Sequence, residues 1–133
     1  MRELSAFIVE DSQVIRDNLI ATLQDLVPVR VVGTSEDEAS AVAWLGGAGN
    51  EADLVIIDIV LKSGSGLGIL RSTQLKRKGR KAVILSNYAT LDVRRKCLDL
   101  GADRVFDKSN EIDTLIEYCR DLAAGDTSAA ALA

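Results

Sequence analysis

The chain contains no histidine. That single absence excludes Ser-His and Cys-His nucleophilic catalysis, histidine-ligated zinc and imidazole proton shuttling. No apolar run is long enough to span a bilayer. No signal-peptide pattern is visible either, because Met1-Arg2-Glu3-Leu4 leads directly into a strand. Cysteine is scarce: Cys97 and Cys119 both fall at apolar positions of helical patterns and read as buried free thiols in a reducing compartment. These features point to a soluble cytoplasmic protein. The net charge of −4 gives no overall pull toward nucleic acid or an anionic membrane. No Walker A sequence is present, and Gly64-Ser65-Gly66-Leu67-Gly68 has Ile69 where a dinucleotide fingerprint needs its third glycine.

What is there is enough for one domain with its own core: 133 residues, 47% of them apolar. The stretch Leu54-Val55-Ile56-Ile57-Asp58 organises the rest. Its continuous apolar run reads as a strand buried on both faces, which cannot hold an unpaired charge inside the core. Asp58 therefore sits where the strand leaves the core. In open α/β sheets that is the end where ligands bind.

Around it the chain alternates strand and helix five times. Leu4 to Val9 is a strand ending in Glu10-Asp11; Ser12 caps a helix with Ile15, Leu19, Leu23 and Leu26 at helical spacing. Pro28, the only proline, precedes a second strand over Val29 to Gly33. Ser35-Glu36-Asp37-Glu38 has capping-box spacing and opens a helix carrying Ala39, Val42 and Ala43. After the central strand, residues 59 to 66 form a Gly/Ser-rich loop, and a third helix begins at Leu67 and closes in Lys76-Arg77-Lys78-Gly79. Ala82 to Leu85 form a strand ending at Ser86. Thr90 caps a helix stopped by Gly101, Arg104 to Phe106 form a short strand ending near Lys108, and Ile112, Leu115, Ile116, Cys119 and Leu122 stripe the last helix. The pattern predicts a flavodoxin-like, doubly wound parallel sheet of order 2-1-3-4-5 with helices on both faces. Residues 1–124 are expected to form the domain, with 125–133 a disordered tail.

In that topology the strand ends bring together Glu10, Asp11, Asp58, Ser86 and Lys108. Three adjacent carboxylates repel one another unless a cation arrives, and an all-oxygen donor set favours Mg²⁺. Lys108 and Ser86 suit phosphoryl oxygens, so the constellation reads as a phosphoryl-transfer site. Without histidine, reactive cysteine or an activated serine, the nucleophile is a carboxylate that forms an acyl phosphate, and Asp58 is the candidate.

Taken together, Val9-Glu10-Asp11-Ser12, Ile56-Ile57-Asp58-Ile59, Lys62-Ser63-Gly64-Ser65-Gly66-Leu67, Leu85-Ser86-Asn87, and Gly101-Ala102-Asp103 followed by Asp107-Lys108-Ser109 resemble the receiver domain of two-component response regulators over roughly residues 4 to 124. The resemblance implies that Asp58 accepts a phosphoryl group from a sensor histidine kinase or phosphotransfer protein. It implies Mg²⁺ held by Asp11, Asp58 and the Val60 carbonyl, with Glu10 acting through a bound water. Ser86 senses the phosphoryl oxygen and Lys108 pairs with it. Phosphorylation would then shift the surface made by the fourth helix, fifth strand and fifth helix toward a downstream partner. Val60, Asn87 and Tyr88 stand where side chains screen the acyl phosphate from water and tune its lifetime. The chain would be a single-domain regulator: a signalling phosphoacceptor that assists its own transfer and autodephosphorylation, not an enzyme, binding neither nucleic acid nor membrane.

Three positions depart from the family pattern. Val105 stands where an aromatic switch residue is usual, and Phe106 lies one position later. Ser109 follows the lysine where proline is common, and Lys62 replaces a common proline after the acceptor. The main competing reading is a pseudo-receiver, an interaction module that keeps the fold without being phosphorylated. A haloacid-dehalogenase-type phosphatase would need a second Asp two residues after Asp58, where Val60 stands. The basic run from Lys76 to Lys81 reads as favourable charge at a helix end and on a solvated loop. Arg94, Arg95 and Lys96 are either contacts for an acidic partner or simply exposed charges.

Overall fold

A computed structural model describes residues 3–75 and 79–125. Its elements are β1 (Leu4–Val9), α1 (Gln13–Leu26), β2 (Val29–Ser35), α2 (Glu38–Leu45), β3 (Leu54–Ile57), α3 (Gly66–Arg71), β4 (Lys81–Ser86), α4 (Leu91–Asp99), β5 (Arg104–Asp107) and α5 (Ile112–Ala123). The five strands pair in the order β2-β1-β3-β4-β5, every pair parallel. This is the flavodoxin-like arrangement expected from the strand–helix alternation.

The period of two along each strand divides the core between the two faces of the sheet. Ala6, Ile8, Leu54, Ile56, Val83, Leu85 and Phe106 pack on one face with Leu19 and Leu23 of α1 and with Leu115, Ile116 and Cys119 of α5. Phe7, Val9, Val55, Ile57, Ile84 and Val105 pack on the other with Ala41 and Leu45 of α2, Ile69 and Leu70 of α3, and Cys97 of α4. Each large aliphatic side chain fully withdrawn from water here contributes about 1.5–3 kcal/mol of transfer free energy. Both cysteines are free and buried. Burial pushes the Cys119 thiol up to about 12.

Helix starts follow side-chain capping. Ser12 Oγ accepts from Ile15 N–H (3.3 Å) and Thr90 Oγ1 from Val93 N–H (3.2 Å). Two expectations need correction. The cap of α2 is Asp37, which accepts from Ser40 N–H at 2.8 Å, and not Ser35. Strand β2 runs on through Ser35, and Glu38 is drawn away from a capping box because its carboxylate accepts Ser65 N–H at 3.0 Å. Helix α3 ends at Arg71, well short of the basic run, because Ser72 leaves the helical region (φ −67°, ψ 135°). Leu75 is then buried in the following turn. The rest of the helix expected there, Lys76 to Lys78, lies outside the described residues, as does the tail over 126–133. Along α1, Leu19 and Leu23 are buried, whereas Ile15 and Leu26 at the ends of the stripe remain partly exposed.

Candidate functional site

The register of the sheet assembles the site. Val9 pairs with Ile57, so Glu10 and Asp58 leave neighbouring strands side by side. Ser86 pairs with Asp107, which puts Lys108 just beyond the paired ends of β4 and β5. Lys108 N–H donates to the Ser86 carbonyl at 3.0 Å and extends that pairing by one residue.

Glu10, Asp11 and Asp58 each offer an oxygen within 4.8 Å of the others. Glu10 and Asp58 are buried and Asp11 is half-buried. Lys108 Nζ lies 2.5 Å from Glu10 Oε1 and 2.8 Å from Asp58 Oδ2. One ammonium thus serves two of three carboxylates. Burial works against the charged form of Lys108, but its hydrogen bonds to Asp58 and Glu10 outweigh that and raise its pKa. Asp11 carries the excess: burial first, then the hydrogen bond and charge of Glu10, raise its pKa. An electron-rich, all-oxygen cluster with one carboxylate held against its charge fits a hard divalent cation.

The loop after Asp58 is shaped by close approach. A Cβ on Gly66 would stand 2.2 Å from the Asp58 carbonyl oxygen, so only glycine fits at this position. Gly66 N–H donates to the Ile59 carbonyl (2.8 Å), and Val60 forms a bridge with Ser65. Val60 is exposed at the mouth of the site. Ser86 is fully buried, and its Oγ accepts Tyr88 N–H at 3.0 Å, which turns the β4–α4 loop. Tyr88 itself is exposed.

Several supports were not visible in the sequence reading. Arg16 Nη1 donates to the Glu10 carbonyl (2.8 Å), the carbonyl of the peptide that joins the acidic pair. Its Nη2 lies 3.5 Å from Glu36, which also stands 3.8 Å from Lys62. Ser12 N–H donates to Glu10 Oε2 at 3.1 Å. Arg94, one of three cations read as surface charge, is turned inward. Its Nε donates to the Ala89 carbonyl (2.9 Å), its Nη1 to the Val105 carbonyl (3.0 Å), and its Nη2 pairs with Glu111.

Phe106 does not replace the aromatic missing at Val105. The two point to opposite faces, and Phe106 is buried in the α1/α5 core with its ring edge-on to Tyr118 at 5.9 Å.

Residues 6–120 match the response regulator receiver domain. The chain belongs to that family. Like other receiver domains it is a signalling module with a phosphoacceptor role and not a classical enzyme. No curated protein matches its sequence. Among solved structures it is similar to a LuxR-family two-component response regulator from Aurantimonas, at 18% identity and a TM-score of 0.80, covering 92% of this chain and 86% of that one. It is similar to the signal receiver domain of the putative response regulator NarL from Mycobacterium tuberculosis, at 18% identity and a TM-score of 0.76, covering 94% and 99%. A third is a response regulator from Burkholderia pseudomallei with a phosphorylated aspartic acid, calcium ion and citrate, at 18% identity and a TM-score of 0.72, covering 97% and 74%. At these identities the likeness to solved structures concerns the fold. Among the described residues of this receiver domain, no helix is long and apolar enough to cross a membrane.

Proposed function

We propose that Asp58 is the phosphoacceptor of this receiver domain and that it takes its phosphoryl group from a histidine kinase or a phosphotransfer protein. The observation that carries this reading is the convergence of Glu10, Asp11 and Asp58 within 4.8 Å, with Lys108 Nζ 2.8 Å from Asp58 Oδ2. A carboxylate oxygen of Asp58 forms the new bond to phosphorus while the donor's P–N bond, or the P–O bond of an acyl phosphate donor, breaks and the leaving group keeps the electron pair. Lys108 and the Ser86 hydroxyl neutralise charge on the phosphoryl oxygens. Charge neutralisation by donors held in advance is the main contribution available to a site without a general base.

Mg²⁺ suits this cluster. Asp11, Asp58 and the Val60 carbonyl would hold it, with Glu10 acting through a bound water. When bound, it supplies positive charge for the phosphoryl oxygens and relieves the repulsion that burdens Asp11. The chain's own residues do the rest. Arg16 and Ser12 hold the acidic pair in place. Gly66 lets the following loop close over the Asp58 carbonyl. Exposed Val60 and Tyr88, with Asn87, flank the acceptor and set how readily water reaches the acyl phosphate.

Residues 1–124 act as the receiver unit, in the cytoplasm. Its output is a protein that docks on the surface formed by α4, β5 and α5. Leu91 and Leu98 of α4 stand exposed on that surface, which supports this assignment. The Burkholderia neighbour, with its phosphorylated aspartic acid, supports the acceptor chemistry by analogy.

Phosphorus-31 NMR of the chain incubated with Mg²⁺ and acetyl phosphate tests the reading. A protein-borne acyl phosphate signal that disappears on treatment with hydroxylamine, and never forms in Asp58→Asn, is the expected result. A signal that persists in Asp58→Asn would assign the phosphoryl group elsewhere. No signal under any condition would leave a pseudo-receiver.

A further inference from the structure

Ser86 and Lys108 end adjacent strands, and a circuit of hydrogen bonds outside the site joins them. Ser86 Oγ accepts Tyr88 N–H at 3.0 Å. The next residue is Ala89, whose carbonyl accepts Nε of Arg94 at 2.9 Å. Arg94 Nη1 reaches the Val105 carbonyl on β5 at 3.0 Å, and Nη2 pairs with Glu111 Oε1. That same Glu111 oxygen accepts Asp107 N–H at 2.9 Å, one residue before Lys108. Lys108 N–H to the Ser86 carbonyl, at 3.0 Å, closes the circuit. One planar guanidinium thus fixes the β4–α4 loop, strand β5 and the turn into α5. Only arginine offers three donor directions in a rigid fork; lysine has the charge without the geometry. The Arg94 hydrogen bond also draws the Glu111 carboxyl below its ordinary value.

We propose that Arg94 and Glu111 are positioning residues for phosphoryl transfer, holding Ser86 and Lys108 where the phosphoryl oxygens arrive. The proposal rests on Asp58 being the acceptor. In transfer from acetyl phosphate, the Asp58 carboxylate bonds to phosphorus, the donor P–O bond breaks and acetate leaves with the electron pair. The transferring group's oxygens need the Ser86 hydroxyl and the Lys108 ammonium already in place. Neither Arg94 nor Glu111 touches a reacting atom. They act through the loops that carry Ser86 and Lys108, and misplacing such groups by about 1 Å costs on the order of 10²-fold in rate. Glu10 and Asp11 lie outside the circuit and meet it only through Lys108 Nζ, so the cation site is expected to respond less than the transfer step.

The test compares wild type, Arg94→Ala, Arg94→Lys and Glu111→Gln. Phosphorylation rate is measured with acetyl phosphate at saturating Mg²⁺, and Mg²⁺ affinity by calorimetry. Arg94→Ala is expected to slow phosphorylation by about tenfold or more, and Arg94→Lys nearly as much because the fork is lost. Glu111→Gln keeps an acceptor oxygen but loses the charge that pairs with Arg94, and is expected to slow phosphorylation by about threefold, less than either Arg94 variant. Mg²⁺ affinity is expected to change by clearly less than the rate in all three. If Arg94→Ala fails to fold, Arg94→Lys decides. Wild-type rates in the Arg94 variants overturn the proposal, as does a parallel loss of Mg²⁺ affinity and rate, which would mark a general disturbance of the site. A wild type that accepts no phosphoryl group overturns the acceptor reading and this proposal with it. A phosphorylated wild type with indistinguishable variants overturns this proposal alone.

Discussion

Lys108 stands against both buried carboxylates of the site, its Nζ 2.8 Å from Asp58 Oδ2 and 2.5 Å from Glu10 Oε1. Removing it leaves two acids with side chains only 4% and 10% exposed and no cation between them. Lys108→Ala is therefore expected to destabilise the cation-free protein by about 3 kcal/mol, the usual cost of breaking a buried pair from one side. Added Mg²⁺ should recover part of that loss and raise the melting temperature more in the variant than in the wild type. Thermal unfolding of both proteins in EDTA and in Mg²⁺ checks this.

Asp11 behaves in the opposite sense. Its pKa is raised above the ordinary 3.8 by burial and by Glu10. An acid whose folded pKa exceeds its unfolded one stabilises the fold at low pH and loses that contribution as pH rises from 3.8 through the raised value. At neutral pH without a cation its charge is therefore a burden. Asp11→Asn should melt at a higher temperature than wild type in EDTA and lose the Mg²⁺-dependent rise in melting temperature. Mg²⁺ affinity of the wild type should weaken as pH falls toward the Asp11 titration range, because the proton competes for the same oxygens. Calorimetric titration with Mg²⁺ at a series of pH values reads this directly.

Gly66→Ala would put a methyl group 2.2 Å from the Asp58 carbonyl oxygen. The backbone must shift at the acceptor itself. Overpacking of this kind costs about 1–3 kcal/mol. The loss should appear in chemical denaturation, together with weaker Mg²⁺ binding, since the displaced segment includes Val60.

The other end of the sheet has its own brace. Arg80 is 2% exposed and donates to the carbonyls of Leu45 (2.8 Å), Gln74 (2.9 Å) and Asn50 (2.8 Å). Arg80→Ala strands these acceptors and is expected to cost about 3 kcal/mol, since charge-assisted hydrogen bonds of this kind contribute about 1.5–3 kcal/mol each and are not additive. Because Arg80 precedes β4 at its N-terminal end, phosphoryl acceptance below the melting transition should be unaffected. Unfolding curves and phosphorylation assays on the same sample separate the two effects.

The strand ends were legible because an apolar run that stops at an acid marks where a buried strand meets water. Glu10 and Asp58 follow that rule, Ser86 ends its apolar run with a hydroxyl instead, and the strand–helix alternation then pointed to which ends are neighbours. The offset of Val105 and Phe106 was visible in the sequence, but their packing on opposite faces of the sheet came with the structure. Arg16, Arg80 and Arg94 were not legible. Each acts by donating to backbone carbonyls, as Arg80 does to Leu45 and Arg94 to Val105, and a carbonyl carries no residue identity that a spacing could reveal. The cap of α2 was misplaced for a related reason: Glu38 had a better use bridging to Ser65, a contact across 27 residues. The end of α3 was misread because a basic run near a glycine looks like a helix terminus, whereas Ser72 had already left the helix.

The most direct test of the central claim is the intact mass of wild type and Asp58→Asn after incubation with acetyl phosphate, with and without Mg²⁺. A gain of one phosphoryl group is expected in wild type with Mg²⁺, and none without Mg²⁺ or in Asp58→Asn. An unmodified wild type that also shows no Mg²⁺ binding, or a variant that gains the same mass, would contradict the claim.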